Sequence, residues 1–372
     1  MKILQIGKFW PILGGVEKVM FDLTKGISSR GIECDMLCAD MNGKAKVIPL
    51  NDSGRVMTSR TVVKANSTMI SLEMISLLRR IARDYDIIHI HHPDPMAALA
   101  LFLSGYKGKV VLHWHSDILR QRILLKAYRP LQSWLIRRAD RVICTSRNYY
   151  EGSSELKRIS SKLLCIPIGV QSIVPDRDKV EEIHRRTAGR KIIFSLGRLV
   201  PYKGLDNLIL AARHLPDDCL VVIGGNGPLE ADLKALVKEH GLEDKVSMIG
   251  RVKEKDRDAW MGAATVFCLP SVEKNEAFGI VLIEAMSAGI PLVATKIPGS
   301  GTHWVNSHEI SGLNVSVGSP EELSDAILKI VNDEKFHKEL SENARKRWKE
   351  MFTIEEFISS ILKVYQELLV EE

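Results

Sequence analysis

Residues 191–204 read Lys-Ile-Ile-Phe-Ser-Leu-Gly-Arg-Leu-Val-Pro-Tyr-Lys-Gly. The run Lys191–Leu196 is apolar and of strand length. Glycine, proline and glycine then break it before a helical pattern begins. A strand that passes through a short loop into a helix is half of a βαβ unit, and the same alternation recurs downstream. Further strands are expected at Cys219–Ile223, Val246–Ile249, Thr265–Leu269 and Pro291–Ala294, each followed by helical periodicity. Parallel sheets covered by helices on both faces produce this pattern.

Upstream the alternation is the same. A strand Lys2–Ile6 and a turn at Pro11–Gly15 lead into a helix near Val16–Ser29, with Val16, Val19, Met20, Leu23 and Ile27 on one face. Strands are expected at Cys34–Ala39, Ile87–His91, Lys109–Trp114 and Arg141–Thr145, with weaker ones near Val47–Leu50 and Leu163–Ile166. The breakers Pro167–Gly169 and Pro175–Lys179 read as the connection between two domains. The last helix, about Ile354–Leu369, carries an apolar stripe from Ile354 to Leu369 too broad to leave in water.

The 372 residues suit two domains, and 45% hydrophobic with 26% charged residues describe an ordinary globular chain. Apolar runs such as Leu220–Ile223 fall far short of the roughly 20 residues that span a bilayer. Lys8 closes the first apolar run too early for a secretory signal, so a cytoplasmic location is expected. Six cysteines without a C-x-x-C read as buried reduced thiols, with a zinc pair at Cys34 and Cys38 as the alternative. Residues 1–166 hold 26 Lys+Arg against 14 Asp+Glu, a balance of +12, whereas residues 167–372 hold 26 against 32, a balance of −6. The basic half is expected to face something anionic, and the acidic half argues against a nucleic-acid-binding protein.

Three segments carry candidate chemistry. Arg198 and Lys203 lie in the loop after a parallel strand, where doubly wound folds bind phosphates. Gly224-Gly225-Asn226-Gly227-Pro228 is a tight turn after the next strand. Glu276-Ala-Phe-Gly-Ile-Val-Leu-Ile-Glu284 places two glutamates eight apart, the first at or before a helix N-terminus suited to a diphosphate. Taken alone, Glu276 reads as a helix-start acid and Glu284 as a solvated one. Gly14-Gly15 before the first helix is equally a simple turn.

Together these segments resemble family 4 of the retaining glycosyltransferases, through E-x7-E, G-R-x-x-x-x-K-G and G-x-G-P in matching order along essentially the whole chain. The resemblance implies an α/β GT-B fold, two doubly wound Rossmann-like domains facing a central cleft. The domains would be 1–166 plus 353–372, binding acceptor, and 167–352, binding the nucleotide-sugar donor, with the last helix crossing back. It implies that Arg198 and Lys203 clamp the donor diphosphate, Glu276 holds the sugar hydroxyls and Glu284 the ribose. Phe278 and Gly279 would offer backbone amides, Gly225 would line the donor site, and Arg251 would lie by the base. Gly15 would approach the phosphates, and His115 the sugar's primary hydroxyl. His-Trp-His-Ser-Asp at 113–117 and the segment Pro298–Val305 resemble bacterial mannosyltransferases of surface-polysaccharide (O-antigen) assembly. GDP-mannose is therefore the expected donor, with a UDP-sugar or GDP-rhamnose as the alternative.

A metal-dependent hydrolase built on His89, His91, His92, His113 and His115 is the alternative of another class. The triplets Asp84-Tyr-Asp86, Asp176-Arg-Asp178 and Asp256-Arg-Asp258 close no strand at the donor loops, so no cofactor and no obligatory divalent metal is expected. Ile118–Arg138 interleaves six basic residues with apolar ones, either a solvated face or a surface for an anionic membrane and a lipid-linked acceptor.

Overall fold

The computed structural model describes residues 1–65, 68–118 and 122–370. The chain forms two compact units, residues 1–168 with 354–372, and residues 169–353.

The first unit contains strands β1 (Lys2–Trp10), β2 (Glu33–Asp40), β3 (Lys46–Asn51), β4 (Gly54–Arg60), β5 (Val63–Ala65), β6 (Thr68–Ile70), β7 (Ile87–His92), β8 (Lys109–Trp114), β9 (Arg141–Cys144) and β10 (Leu163–Cys165). Eight of them form one sheet in the order β10-β9-β8-β7-β1-β2-β4-β3. It is parallel except at its β3 edge, which pairs antiparallel with β4. The strand order reverses between β1 and β7. β7 and β8 are almost wholly buried, as continuous runs must be when helices cover both faces of a sheet.

The C-terminal helix Ile354–Val370 belongs to this first unit and packs on the helix Gly15–Ser28. Its buried stripe comprises Ile354, Phe357, Ile358, Ile361, Leu362, Val364, Tyr365 and Leu368. Each such side chain contributes about 1.5–3 kcal/mol when taken out of water, which explains why the chain returns to cover that face.

The second unit holds β11 (Lys191–Leu196), β12 (Cys219–Gly224), β13 (Val246–Gly250), β14 (Val266–Leu269), β15 (Leu292–Thr295) and β16 (Gly312–Val315). All are parallel, in the order β13-β12-β11-β14-β15-β16. Renumbered within the unit this is 3-2-1-4-5-6, the doubly wound order whose ligand crevice opens between the first and fourth strands. The core on one side of the sheet is built from Ile193, Val221, Ile223, Val266, Cys268 and Val293 under Leu208, Ile209, Leu323 and Ile327.

Several expectations need correction. β4, β16 and the β5–β6 hairpin were absent from the sequence reading. Asp176 caps the helix Arg177–Arg186, so the breakers at Pro175–Lys179 start an element of the second unit rather than extend the connection. Cys165 is exposed, unlike the other five cysteines. Among the described residues no helix is long and apolar enough to cross a membrane.

Candidate active site

The second unit brings Lys203 and Glu276 together at the switch between β11 and β14. After β11 the chain turns through Gly197–Val200 into a short 3-10 turn, Pro201–Lys203. After β14 it runs through Ser271–Ala277 to the helix Ile280–Ser287. Lys203 Nζ lies 2.6 Å from Glu276 Oε2, joining the two loops, and their side chains are only 10% and 12% exposed. Ser271 Oγ donates to the same carboxylate oxygen at 3.0 Å. The amide of Val272 bonds the carbonyl of Tyr202 at 2.8 Å, so backbone as well as charge ties the loops. Arg198 is exposed, its Nη2 donating to the Tyr202 hydroxyl at 3.2 Å.

The turn after β12 packs directly under this loop. Gly197 N bonds Gly224 O and Leu199 N bonds Asn226 O, at 3.0 and 2.9 Å. Gly225 has φ +140, and a Cβ there would lie 1.8 Å from the carbonyl oxygen of Gly197. Only glycine allows that approach. Arg251 follows β13 on an exposed turn.

The helix Ile280–Ser287 starts later than Phe278, so Glu276 sits in the preceding loop rather than on the helical face of Glu284. Gly279 at its N-cap is left-handed (φ 81) with no side-chain cap, so the first-turn amides are not closed off by a neighbouring side chain. Phe278 is buried against Trp304 and Phe352, at ring distances of 6.3 and 6.1 Å. Its side chain anchors the turn, leaving backbone groups to do any binding.

Glu284 accepts from Arg257 Nη1 at 3.0 Å. Arg257 carries no sequence signal of its own, since in the triplet Asp256-Arg257-Asp258 only the acids suggest chemistry. Those acids are in ion pairs, Asp256 with Lys179 at 2.7 Å and Asp258 with Arg257 at 2.8 Å. Ser271 and Tyr202 are not marked by the sequence either, Ser271 because it lies outside the motifs and Tyr202 because it falls at an unspecified position of the 197–204 loop.

In the first unit Gly15 is the first residue of the helix Gly15–Ser28, after an extended Gly14. His89, His91, His113 and His115 form a stack on one face of β7 and β8. Rings 113 and 115 are 4.2 Å apart, 89 and 91 are 4.7 Å apart, and 91 and 115 are 5.1 Å apart. His92, on the other face, stacks on Trp114 at 3.7 Å. The donor atoms of His89, His91 and His113 come within 4.8 Å of one another, and among the described residues no carboxylate joins that group. Both nitrogens of His91 are already in 2.8 Å hydrogen bonds, to His115 and to Gln5. The stack is a buried hydrogen-bonded and aromatic cluster, and no observation among the described residues supports the hydrolase alternative.

Burial pushes all five imidazoles down from their ordinary range, His92 and His113 to about 3. Both nitrogens of His113 lack a partner. The basic segment is a helix from Arg122 to Arg138, while 119–121 lie outside the described residues. Lys126, Arg129 and Arg137 on it are exposed.

Residues 176–347 match the glycosyl transferases group 1 family, and residues 13–172 match Glycosyltransferase Family 4. The chain is 31% identical to the O-antigen chain mannosyltransferase C of Escherichia coli, over 99% of both sequences. It is 32% identical to the D-rhamnosyltransferase WbpZ of Pseudomonas aeruginosa, over 95% of this chain and 92% of that one. Sucrose-phosphate synthase from Thermosynechococcus elongatus superposes with a TM-score of 0.82 at 21% identity, over 100% of both chains. Anabaena HepE in complex with UDP-glucose gives 0.78 at 20% identity, over 99% of this chain and 100% of that one. These likenesses show the GT-B fold.

The histidine shifts set a pH dependence. An unfolded histidine protonates near 6.5, whereas these stay neutral in the fold, so stability is full above that pH and falls as pH drops toward about 3. Each contributes a slope of up to about 1.4 kcal/mol per pH unit. Urea unfolding at pH 7.5, 6.0 and 5.0 should show the midpoint falling, and His113→Leu should flatten the fall. An unchanged midpoint across that range would mean that the imidazoles protonate without cost in the fold.

Proposed function

Because the chain belongs to the family 4 glycosyltransferases, and so is a transferase, we propose that it moves mannose from GDP-mannose to a hydroxyl of a lipid-linked glycan in bacterial O-antigen-type synthesis. The observation that carries the reading is the Lys203–Glu276 pair at the β11/β14 switch, in a chain alike to an O-antigen chain mannosyltransferase over 99% of its length and to a D-rhamnosyltransferase over 95%. The name of the second, a D-rhamnosyltransferase, puts GDP-rhamnose ahead of a UDP-sugar as the alternative donor.

In this reading the bond between the anomeric carbon and the diphosphate oxygen breaks as the acceptor oxygen bonds to the same face. The acceptor proton passes to the leaving phosphate, and configuration is retained. Arg198 and Lys203 take up the negative charge on the leaving nucleotide, so catalysis rests on positioning and electrostatics. Glu276, braced by Ser271, holds sugar hydroxyls. Glu284, oriented by Arg257, holds the ribose. Gly279 and Phe278 offer backbone amides, Gly225 lets the backbone come close, and Arg251 lies by the base. From the first unit, Gly15 serves the phosphates and His115 the sugar.

The ion-paired state of Asp256 and Asp258 supports metal-independent chemistry. A place at the inner face of the cytoplasmic membrane is supported by Phe102 and Leu103, exposed beside the basic helix, with Phe102 edge-on to Trp134 at 4.9 Å.

The test is nucleotide release from GDP-mannose, GDP-rhamnose and common UDP-sugars, with excess EDTA present. GDP-mannose should be turned over fastest, and Lys203→Ala should reduce turnover by about 100-fold. Preference for a UDP-sugar would overturn the donor. Activity that EDTA abolishes and magnesium restores would overturn the metal-free mechanism, and near wild-type turnover in Lys203→Ala would overturn the site.

A further inference from the structure

Tyr365 lies on the helix that returns to the first unit, fully buried against β1 and β7. Its hydroxyl accepts from Gln5 Nε2 at 3.0 Å and bonds Nδ1 of His89. The other end of the same amide, Gln5 Oε1, lies 2.8 Å from His91 Nε2. Nδ1 of His91 in turn lies 2.8 Å from Nε2 of His115. Five side chains form one line, His89, Tyr365, Gln5, His91 and His115, with Cys34 Sγ as a second, longer contact of Gln5 Nε2 at 4.0 Å.

The line has a direction. With the Gln5 amide nitrogen committed to Tyr365, its oxygen can only accept, so His91 carries its proton on Nε2. Burial keeps His91 neutral, which leaves Nδ1 as a bare acceptor. His115, neutral for the same reason, must then donate from Nε2, and its own Nδ1 is the lone-pair nitrogen. At the far end the Tyr365 hydroxyl gives its hydrogen to His89 Nδ1.

We infer that Tyr365, Gln5 and His91 are positioning residues that lock His115 in its Nε2-protonated tautomer, so that Nδ1 accepts a hydroxyl hydrogen of the donor sugar. This rests on the placement of His115 at the sugar. The lock begins at Tyr365, because a Gln5 amide left with only the weak 4.0 Å contact to the Cys34 thiol can turn over. His91 and then His115 would exchange tautomers in step, and His115 would present an N–H where it should present a lone pair.

The experiment uses full-length protein labelled with 15N-histidine, and compares wild type with Tyr365→Phe, Gln5→Met and His115→Ala. Long-range proton–nitrogen spectra read the His115 tautomer, nucleotide release reads kcat, and titration with GDP reads nucleotide affinity. Wild type should show His115 protonated on Nε2 only. Tyr365→Phe, isosteric and still edge-on to His89, should show mixed tautomers. Its kcat should fall about five- to tenfold, the effect of one neutral hydrogen bond, with GDP affinity unchanged. Gln5→Met should do the same from inside the line, which covers the case of one variant failing to fold. A His115 that stays wholly Nε2-protonated in both variants, with wild-type kcat, would overturn the lock. Wild-type kcat in His115→Ala would instead overturn the role of His115 itself.

Discussion

Two loops that belong to different halves of a doubly wound sheet are held together by one ion pair, Lys203 with Glu276. In the order 3-2-1-4-5-6 the first and fourth strands are neighbours, but their connections lead away from each other, and a crevice opens at their carboxyl ends. Both loops follow the carboxyl ends of those strands, and the pair joins them. Removing one partner of an ion pair this buried typically costs about 3–5 kcal/mol, because the other charge is left without compensation. The glycine turn after β12, the Ser271 hydroxyl and the left-handed Gly279 all serve to bring backbone and charge to this one place. An anionic ligand entering here meets a lysine already fixed in position, so little reorganisation remains to be done when charge develops.

The first unit uses the same topology for a different purpose. Its switch lies between β1 and β7, and the strands there carry Gln5, His89 and His91 instead of aliphatic side chains. A stack of imidazoles at the centre of a sheet is costly, since His113 leaves both nitrogens unpartnered and all five rings are held neutral by burial. Aliphatic residues would pack there at least as well. Polar residues that cost stability in a core are commonly tied to function, and the line from Tyr365 to His115 gives this cluster one.

Much of this was legible in the sequence. Lys109–Trp114 and Lys191–Leu196 are strands over the residues their apolar runs mark. Gly54–Arg60 was not legible because arginines at both ends and two hydroxyl residues hide a largely buried strand, and Gly312–Val315 is too short to show a period. β1 runs past Ile6 to Trp10 through an irregularity in its pairing with β2, at Gly7 and Lys8, which reads as an ending. Arg198 and Lys203 stand out because glycine and proline punctuate their loop, and Glu276 and Glu284 because of their eight-residue spacing around a helix start. Arg257, Ser271 and Tyr365 do not, since each acquires a partner only through tertiary contact, and Tyr365 sits in a stripe that reads simply as apolar.

The central claim is that the donor nucleotide is held by the loops that follow β11 and β14. Hydrogen–deuterium exchange of the whole protein, with saturating GDP and in parallel UDP, tests it without any assumption about the acceptor. The expected result is slowed exchange at the amides of 197–204 and 277–283, stronger with GDP. Protection confined to residues 1–168, with those two segments unchanged, would contradict it.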